Sequence, residues 1–276
     1  MEFYLSEELE WQPNSEKLDS NQKALIRLVA HVSVSRFETL PTFVNVDLQG
    51  SSVMPSIDGN LAKNDAQLGR FWFTEKVEVE ISLGDADHTV VYNSAPPTQP
   101  GSSAVASSTQ IGVNLSAGTF GPTVVNQPGV TYAVGTSFTR NLSDFTVRAN
   151  TAHNTAKRTY TMSASKGGEY NEPLDLYDHS PSMFHNWHPL TDLAVADFGL
   201  ADNVLFMSKG NNDSGERELR ISVTHHLRGL HGIKPPAIDP FGGLLGEVAE
   251  MRLIETFQKT LTKTQKIRLS DSYLLS

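Results

Sequence analysis

The chain predicts an all-β fold, an antiparallel β-sandwich interrupted by a long central hairpin, and three features carry that expectation. Apolar residues recur with period two wherever a pattern is readable. Helical spacing is confined to one short stretch. A central block of about fifty residues carries no charge at all.

Taken in order, Ile26, Leu28, Ala30, Val32 and Val34 line one face of the first readable strand, and Val44, Val46 and Leu48 mark a short second one. From Arg70 to Leu83, Phe71, Phe73, Val77, Val79, Ile81 and Leu83 are expected on one face, with Arg70, Thr74, Lys76, Glu78, Glu80 and Ser82 on the other. Leu219, Ile221, Val223 and Leu227 alternate with Glu218, Arg220, Ser222 and Thr224, and Ile267 and Leu269 close a last strand. Leu244 to Ile254 has helical spacing, although Met251, Leu253 and Phe257 fit a strand as well. One apolar and one polar face per strand is the pattern of antiparallel sheets packed on one side only.

Composition narrows the function. The 276 residues carry a net charge of −9, with 38% hydrophobic and 19% charged residues. That balance argues against a nucleic-acid partner, which needs a basic surface to displace counterions. The absence of cysteine excludes disulfide scaffolds, thiolate metal sites and cysteine nucleophiles. No run approaches the ~18 apolar residues of a spanning helix. The start, Met1 to Glu8, has neither a basic nor an apolar leader region, so a signal peptide is not expected within this sequence.

From Thr89 to Thr139 there is no Asp, Glu, Lys, Arg or His. A Ser/Gly/Pro-rich linker is the simpler reading of such a composition, but the block is patterned. Val105, Ile111, Val113, Leu115 and Ala117 fall on odd positions, with Ser107 and Thr109 between them, while Gln110, Gly112, Asn114, Ser116 and Gly118 fall on even ones. After the turn-rich stretch from Phe120 to Gly129 the parity reverses. Val130, Tyr132, Val134, Thr136 and Phe138 then face one way, and Thr131, Ala133, Gly135, Ser137 and Thr139 the other. Each limb is about ten residues of apolar-out and small-polar-in, the form of a transmembrane β-strand. A single hairpin cannot sit in a bilayer, because its two edges would leave backbone groups unpaired in hydrocarbon. Insertion therefore requires several chains, each giving one hairpin to a closed barrel.

Several further segments resemble the leukocidin and α-haemolysin family of β-barrel pore-forming toxins. Gly69-Arg70-Phe71-Trp72-Phe73-Thr74-Glu75-Lys76-Val77-Glu78-Val79 is similar to the strand that precedes the family's stem, and Leu142-Ser143-Asp144-Phe145-Thr146-Val147 to the strand that leaves it. Trp187-His188-Pro189 resembles a tryptophan-proline element of the membrane-facing rim. Leu193-Ala194-Val195-Ala196-Asp197-Phe198, followed by Glu218 to His225, resembles the return to the sandwich. The resemblance implies a secreted protein that binds a target-cell membrane as a soluble monomer, assembles as a homo-oligomer of seven or eight, and inserts one hairpin per protomer into a transmembrane barrel. It also implies a domain plan: sandwich over 1–88, stem over 89–142, sandwich over 143–167, rim over 168–197 and sandwich over 198–276. A glycan or protein receptor and a second toxin component stay open. Three departures stand out: the N-terminal latch segment is short, the rim between Gly168 and Asp197 is compact, and Trp187 has no nearby arginine, the next being Arg217, so headgroup specificity does not carry over.

Site expectations follow. Tyr177, Met183, Phe184 and Trp187 offer apolar and amphipathic side chains suited to the headgroup zone, or else pack their loop onto the sandwich. Lipid-facing stem positions are Val105, Ile111, Val113, Leu115, Val130, Tyr132, Val134 and Phe138; lumen-facing ones are Gln110, Asn114, Ser116, Ser137 and Thr139. His179, His185 and His188 lack the spacing of a helical zinc motif, and no metal or cofactor is expected. His225 and His226 fall on opposite strand faces and read as one core and one surface histidine. Glu7, Glu8, Glu78 and Glu80 read as solvated charge. No nucleophile has an adjacent base, so no catalytic residue and no enzyme activity is expected. The alternative is a carbohydrate-binding, lectin-like sandwich, which leaves the uncharged double limb without a purpose. A coat-type jelly roll would not display that hairpin either.

Overall fold

The computed structural model describes residues 1–13, 23–37, 39–57, 70–98, 105–114, 131–140, 145–162, 197–211, 213–232, 251–271 and 274–275, with backbone alone at 70–71, 105–114, 131–140, 230–232, 251–254 and 274–275. In chain order the strands are β1 (Glu2–Trp11), β2 (Ala24–Phe37), β3 (Pro41–Asp47), β4 (Ser52–Met54), β5 (Arg70–Leu83), β6 (Thr89–Ala95), β7 (Val105–Asn114) and β8 (Thr131–Arg140). They continue as β9 (Phe145–Ala152), β10 (Thr155–Met162), β11 (Phe198–Gly199), β12 (Asn203–Asn211), β13 (Glu216–Gly232), β14 (Met251–Arg268) and β15 (Leu274–Leu275). A 3-10 turn covers Leu269–Asp271.

Period-two burial sorts these strands into two packed sheets. One runs β11-β4-β2-β3-β12-β6, with β1 along the other edge of β2 and β15 added in parallel at Arg36 and Phe37. The other is antiparallel throughout, in the order β14-β13-β5-β10-β9. Ile26, Leu28, Ala30, Val32, Val44, Val46, Val204 and Phe206 from the first sheet meet Val77, Val79, Ile81, Ala156, Tyr160, Leu219, Ile221, Val223 and Leu227 from the second in one continuous core. Each large side chain so buried contributes roughly 1.5–3 kcal/mol. At one margin Lys263 Nζ of β14 reaches Glu7 of β1 at 2.7 Å. At the opposite margin Val91 N–H of β6 donates to the carbonyl of His153 at 2.7 Å.

The alternation expected over Arg70 to Leu83 breaks at one residue. His226 pairs with Lys76 but Leu227 pairs with Thr74, so Glu75 is a β-bulge and the side chains beyond it change face. Trp72 and Thr74 turn into the core beside Val77, while Phe73 is buried on the opposite face, opposite Arg228. The bulged Glu75 carboxylate forms a salt bridge with Arg228. Leu269 belongs to the 3-10 turn rather than to a strand. The helical spacing that reached Ile254 gives way to strand in β14, which begins at Met251.

β1 is a full sheet strand. Leu5 and Trp11 are buried, with Phe3, Leu9 and Glu7 half-buried on the same face. Glu8 pairs with Arg27 of β2 at 2.6 Å and Glu10 with Lys23, the residue before β2, at 2.9 Å, so the acidic residues of β1 answer basic ones on its neighbour.

Candidate functional site

Strands β7 and β8 form a two-stranded sheet of their own. Their register runs from Val105 opposite Arg140 to Asn114 opposite Thr131, ten pairs without a slip. Residues directly opposite in an antiparallel pair share a face. Positions 105, 107, 109, 111 and 113 therefore share one face with 140, 138, 136, 134 and 132, and the even positions of β7 share the other with the odd positions of β8. The pairing thus brings Ile111 to Val134 and Val113 to Tyr132 on one side, and Gln110 and Asn114 to the side of Ser137 and Thr139. It also sets Arg140, at the sandwich end, on the face of Val105 rather than on that of Gln110. Leu115, Ser116 and Val130 lie outside the described residues, as do Tyr177, Met183, Phe184 and Trp187 and the three histidines near them.

Ten residues at ~3.4 Å each span roughly 30 Å along the strand, or about 25 Å of height at a barrel tilt of ~40°. That matches the apolar band of a membrane barrel. Among the described residues no helix is long and apolar enough to cross a membrane, which leaves strand crossing untouched.

The hairpin departs from the sandwich through β6 and returns through β9, and the joint is built from polar contacts the sequence reading did not foresee. Arg158 of β10 lies on the core side of its strand, in the row of Ala156, Tyr160 and Met162, and is 2% exposed. Its Nε donates to the Pro96 carbonyl at 2.6 Å and its Nη1 to the Lys157 carbonyl at 3.1 Å, while its buried Nη2 has no partner. Thr98 Oγ1 accepts the Ala149 N–H at 2.9 Å and donates to the Ala149 carbonyl at 3.3 Å. Ser94 and Thr151 bring their hydroxyls to 3.4 Å. Beside Arg158, the Tyr160 hydroxyl donates to Asp202 Oδ2 at 2.9 Å. Burial pushes the Asp202 carboxyl up to about 6, against the pull of Arg158 and the Tyr160 hydrogen bond, with Asp47 adding to the rise. The one sequence signal for this cluster is an arginine on the apolar parity of its strand.

His225 sits in the core as expected. Its Nε2 is 2.9 Å from Thr74 Oγ1, its ring meets Trp11 edge-on, and burial, with His226 adding to it, drives its pKa down to about 3. His226 lies on the other face but is only 8% exposed, so it is covered rather than a surface histidine.

The outer face of the β14-β13-β5-β10-β9 sheet holds a shallow polar trough of about 200 Å³, lined by Glu78, Glu80, Lys157, Arg220, Ser222, Thr224, Thr260 and Thr262. Partial burial of Glu78 opposes its ionisation, yet hydrogen bonds from Lys76 and Lys157 hold its carboxyl below the usual range. Ser222 bonds Thr262 at 3.0 Å and Thr224 bonds Thr260 at 2.9 Å, so these hydroxyls are tied to one another rather than to a base. Among the described residues no three His, Asp or Glu side chains group as a metal site.

No protein-family model matches the chain. No curated protein sequence matches it. Solved structures do: Clostridium perfringens delta-toxin is similar at a TM-score of 0.51 and 12% identity, over 98% of this chain and 91% of the toxin. A structure described as a pore forming protein is similar at 0.50 and 11%, over 98% and 92%. The Clostridium perfringens NetB toxin in its membrane inserted form aligns at 0.46 and 13%, over 98% and 97%. At such identities the likeness is one of fold, and the chain has the β-sandwich fold of the leukocidin and α-haemolysin-like pore-forming toxins.

Proposed function

We propose that this protein is a secreted pore-forming cytolysin rather than an enzyme. It binds a target-cell membrane as a soluble monomer, assembles into a ring of identical chains, and inserts one hairpin per protomer into a shared barrel. The observation that carries the reading is the β7–β8 pair: an antiparallel hairpin without charge until its last residue, Arg140, in unbroken register, whose two faces differ in polarity and which pairs with no other described strand. Such a hairpin is stable in a bilayer only when closed with copies of itself. The fold it shares with known pore-forming toxins supports the same reading.

In this reading residues 89–142 are the stem, and 168–197 form a rim whose Tyr177, Met183, Phe184 and Trp187 meet the lipid headgroups. Val105, Ile111, Val113, Leu115, Val130, Tyr132, Val134 and Phe138 face lipid, while Gln110, Asn114, Ser116, Ser137 and Thr139 line the lumen. The driving force is the joint removal of apolar strand positions from water together with closure of every ladder hydrogen bond.

Dye-loaded liposomes test this directly. The purified chain should release the dye and leave an oligomer that survives detergent. Retention on immobilised sugar with no leakage would replace the pore with the lectin reading.

A further inference from the structure

We propose that Arg158 anchors the root of the hairpin, tying both limbs to one rung of the sandwich so that reorganisation begins beyond Thr98 and before Phe145. The inference rests on the reading of the hairpin as the element that moves.

The ladder between β6 and β12 ends at Ala95 opposite Asn203. Pro96 follows, the first residue of the departing limb to leave that ladder, and its carbonyl is taken by Arg158. A guanidinium in the apolar row of a strand is costly to desolvate, and packing alone would favour an aliphatic side chain there. Its position accounts for the cost. Arg158 lies directly opposite Ala149 in the β9–β10 ladder. Ala149 belongs to the returning limb, and its N–H and C=O are both engaged by Thr98 of the departing limb. One rung, Arg158 with Ala149, thereby grips the departing limb at Pro96 and at Thr98.

At the described positions the two limbs meet in antiparallel order. Ser94 meets Thr151, Thr98 meets Ala149, and further along Val105 meets Arg140. Asp202, buried and hydrogen-bonded to Tyr160, lies near enough for the Arg158 charge to favour its ionised form against the effect of burial. Separating the limbs at this level would strand a buried cation and free both backbone groups of Ala149. Beyond Thr98 neither penalty applies.

Amide hydrogen exchange in the soluble chain tests the anchor without any membrane. Thr98→Val keeps the shape and removes the hydroxyl, so exchange at the Ala149 amide should quicken by about two- to tenfold, as expected for one lost hydrogen bond. Core amides such as Val204 and Ile221 should not change, and Thr98→Ser should restore the Ala149 rate. Arg158→Lys should quicken the same amide although its side chain does not touch it, and the two effects should be less than additive when combined. An Ala149 rate unchanged in either variant, or full additivity, overturns the anchor. If Arg158→Lys loosens the core amides as well, the Thr98→Val and Thr98→Ser pair decides alone. The unaltered chain is run on dye-loaded liposomes in parallel. Absence of leakage there would overturn the pore reading while leaving the exchange result to judge the joint.

Discussion

Substituting the adjacent residues Val113 and Asn114 by lysine separates the two faces of the hairpin by a single step along one strand. Val113 lies opposite Tyr132 and Asn114 opposite Thr131, so the two positions belong to opposite faces. If the Val113 face meets lipid, a lysine near the bilayer midplane costs roughly 2–4 kcal/mol per chain. Every protomer carries the change, so a ring of seven or eight accumulates on the order of 15–30 kcal/mol. No single hairpin's insertion needs to fail outright for the assembled barrel to become unfavourable. In the proposed barrel a lysine at Asn114 faces water in the lumen and costs far less. Dye release from liposomes should therefore be abolished in Val113→Lys and retained in Asn114→Lys, whose single-channel current should shift toward anions. Both soluble variants should melt within a degree or two of the parent, which makes insertion the step being read. Equal leakage by the two folded variants, or the reverse order, would refute the assignment of faces.

The remaining predictions concern the rim, the lumen and acid. Trp187→Ala should weaken liposome binding in a flotation assay and leave the melting temperature of the monomer unchanged; early melting would make the tryptophan a packing residue. The positions proposed to line the lumen, Gln110, Asn114, Ser116, Ser137 and Thr139, carry no charge, so bilayer recordings should show weak ion selectivity. Neutralising Asp144 should alter the current more than neutralising Arg140, which shares the face of Val105; strong selectivity that survives both changes would mean a different lining. Asp202 titrates at about 6 in the fold against 3.8 when unfolded, so between those values the folded chain holds the extra proton. This group therefore adds stability as pH falls from above 6 to below 4, by ~3 kcal/mol at full effect. His225 works the other way: at about 3 in the fold and 6.5 unfolded, it takes its proton first in the unfolded chain, and stability is lost as pH falls from 6.5 toward 3. Urea unfolding at pH 7 and pH 4 should show Asp202→Asn losing ground to the parent on acidification, and His225→Gln gaining. A stability difference independent of pH in either variant would contradict these assignments.

What the sequence made legible was whatever repeats with period two against one uniform core. Ile26 to Val34 and Leu219 to Leu227 alternate cleanly because each packs one face on the opposite sheet, and their odd or even members are buried in the structure. The hairpin was legible for a different reason, its lack of charge in a chain otherwise 19% charged. Three things were hidden. β1 reads as a polar terminus because Glu7 occupies an inward position, and only its partner Lys263, some 256 residues along the chain, explains it. The bulge at Glu75 inserts one residue and reverses every face before it, and nothing local distinguishes a bulged glutamate from a paired one. Arg158 belongs to a strand whose purpose depends on Pro96 and Asp202, 62 and 44 residues away, so the joint emerges only from topology.

The central claim, that residues 105–114 and 131–140 cross a bilayer as barrel strands, is tested most directly by an environment-sensitive dye on single cysteines. The chain has no cysteine of its own, which makes each label unique. Scanned through both limbs in liposomes bearing assembled rings, the emission should alternate with period two. Positions 111, 113, 132 and 134 should report hydrocarbon, and 110, 114, 137 and 139 should report water. A hairpin that reports water at every position on the same leaky liposomes would contradict the account.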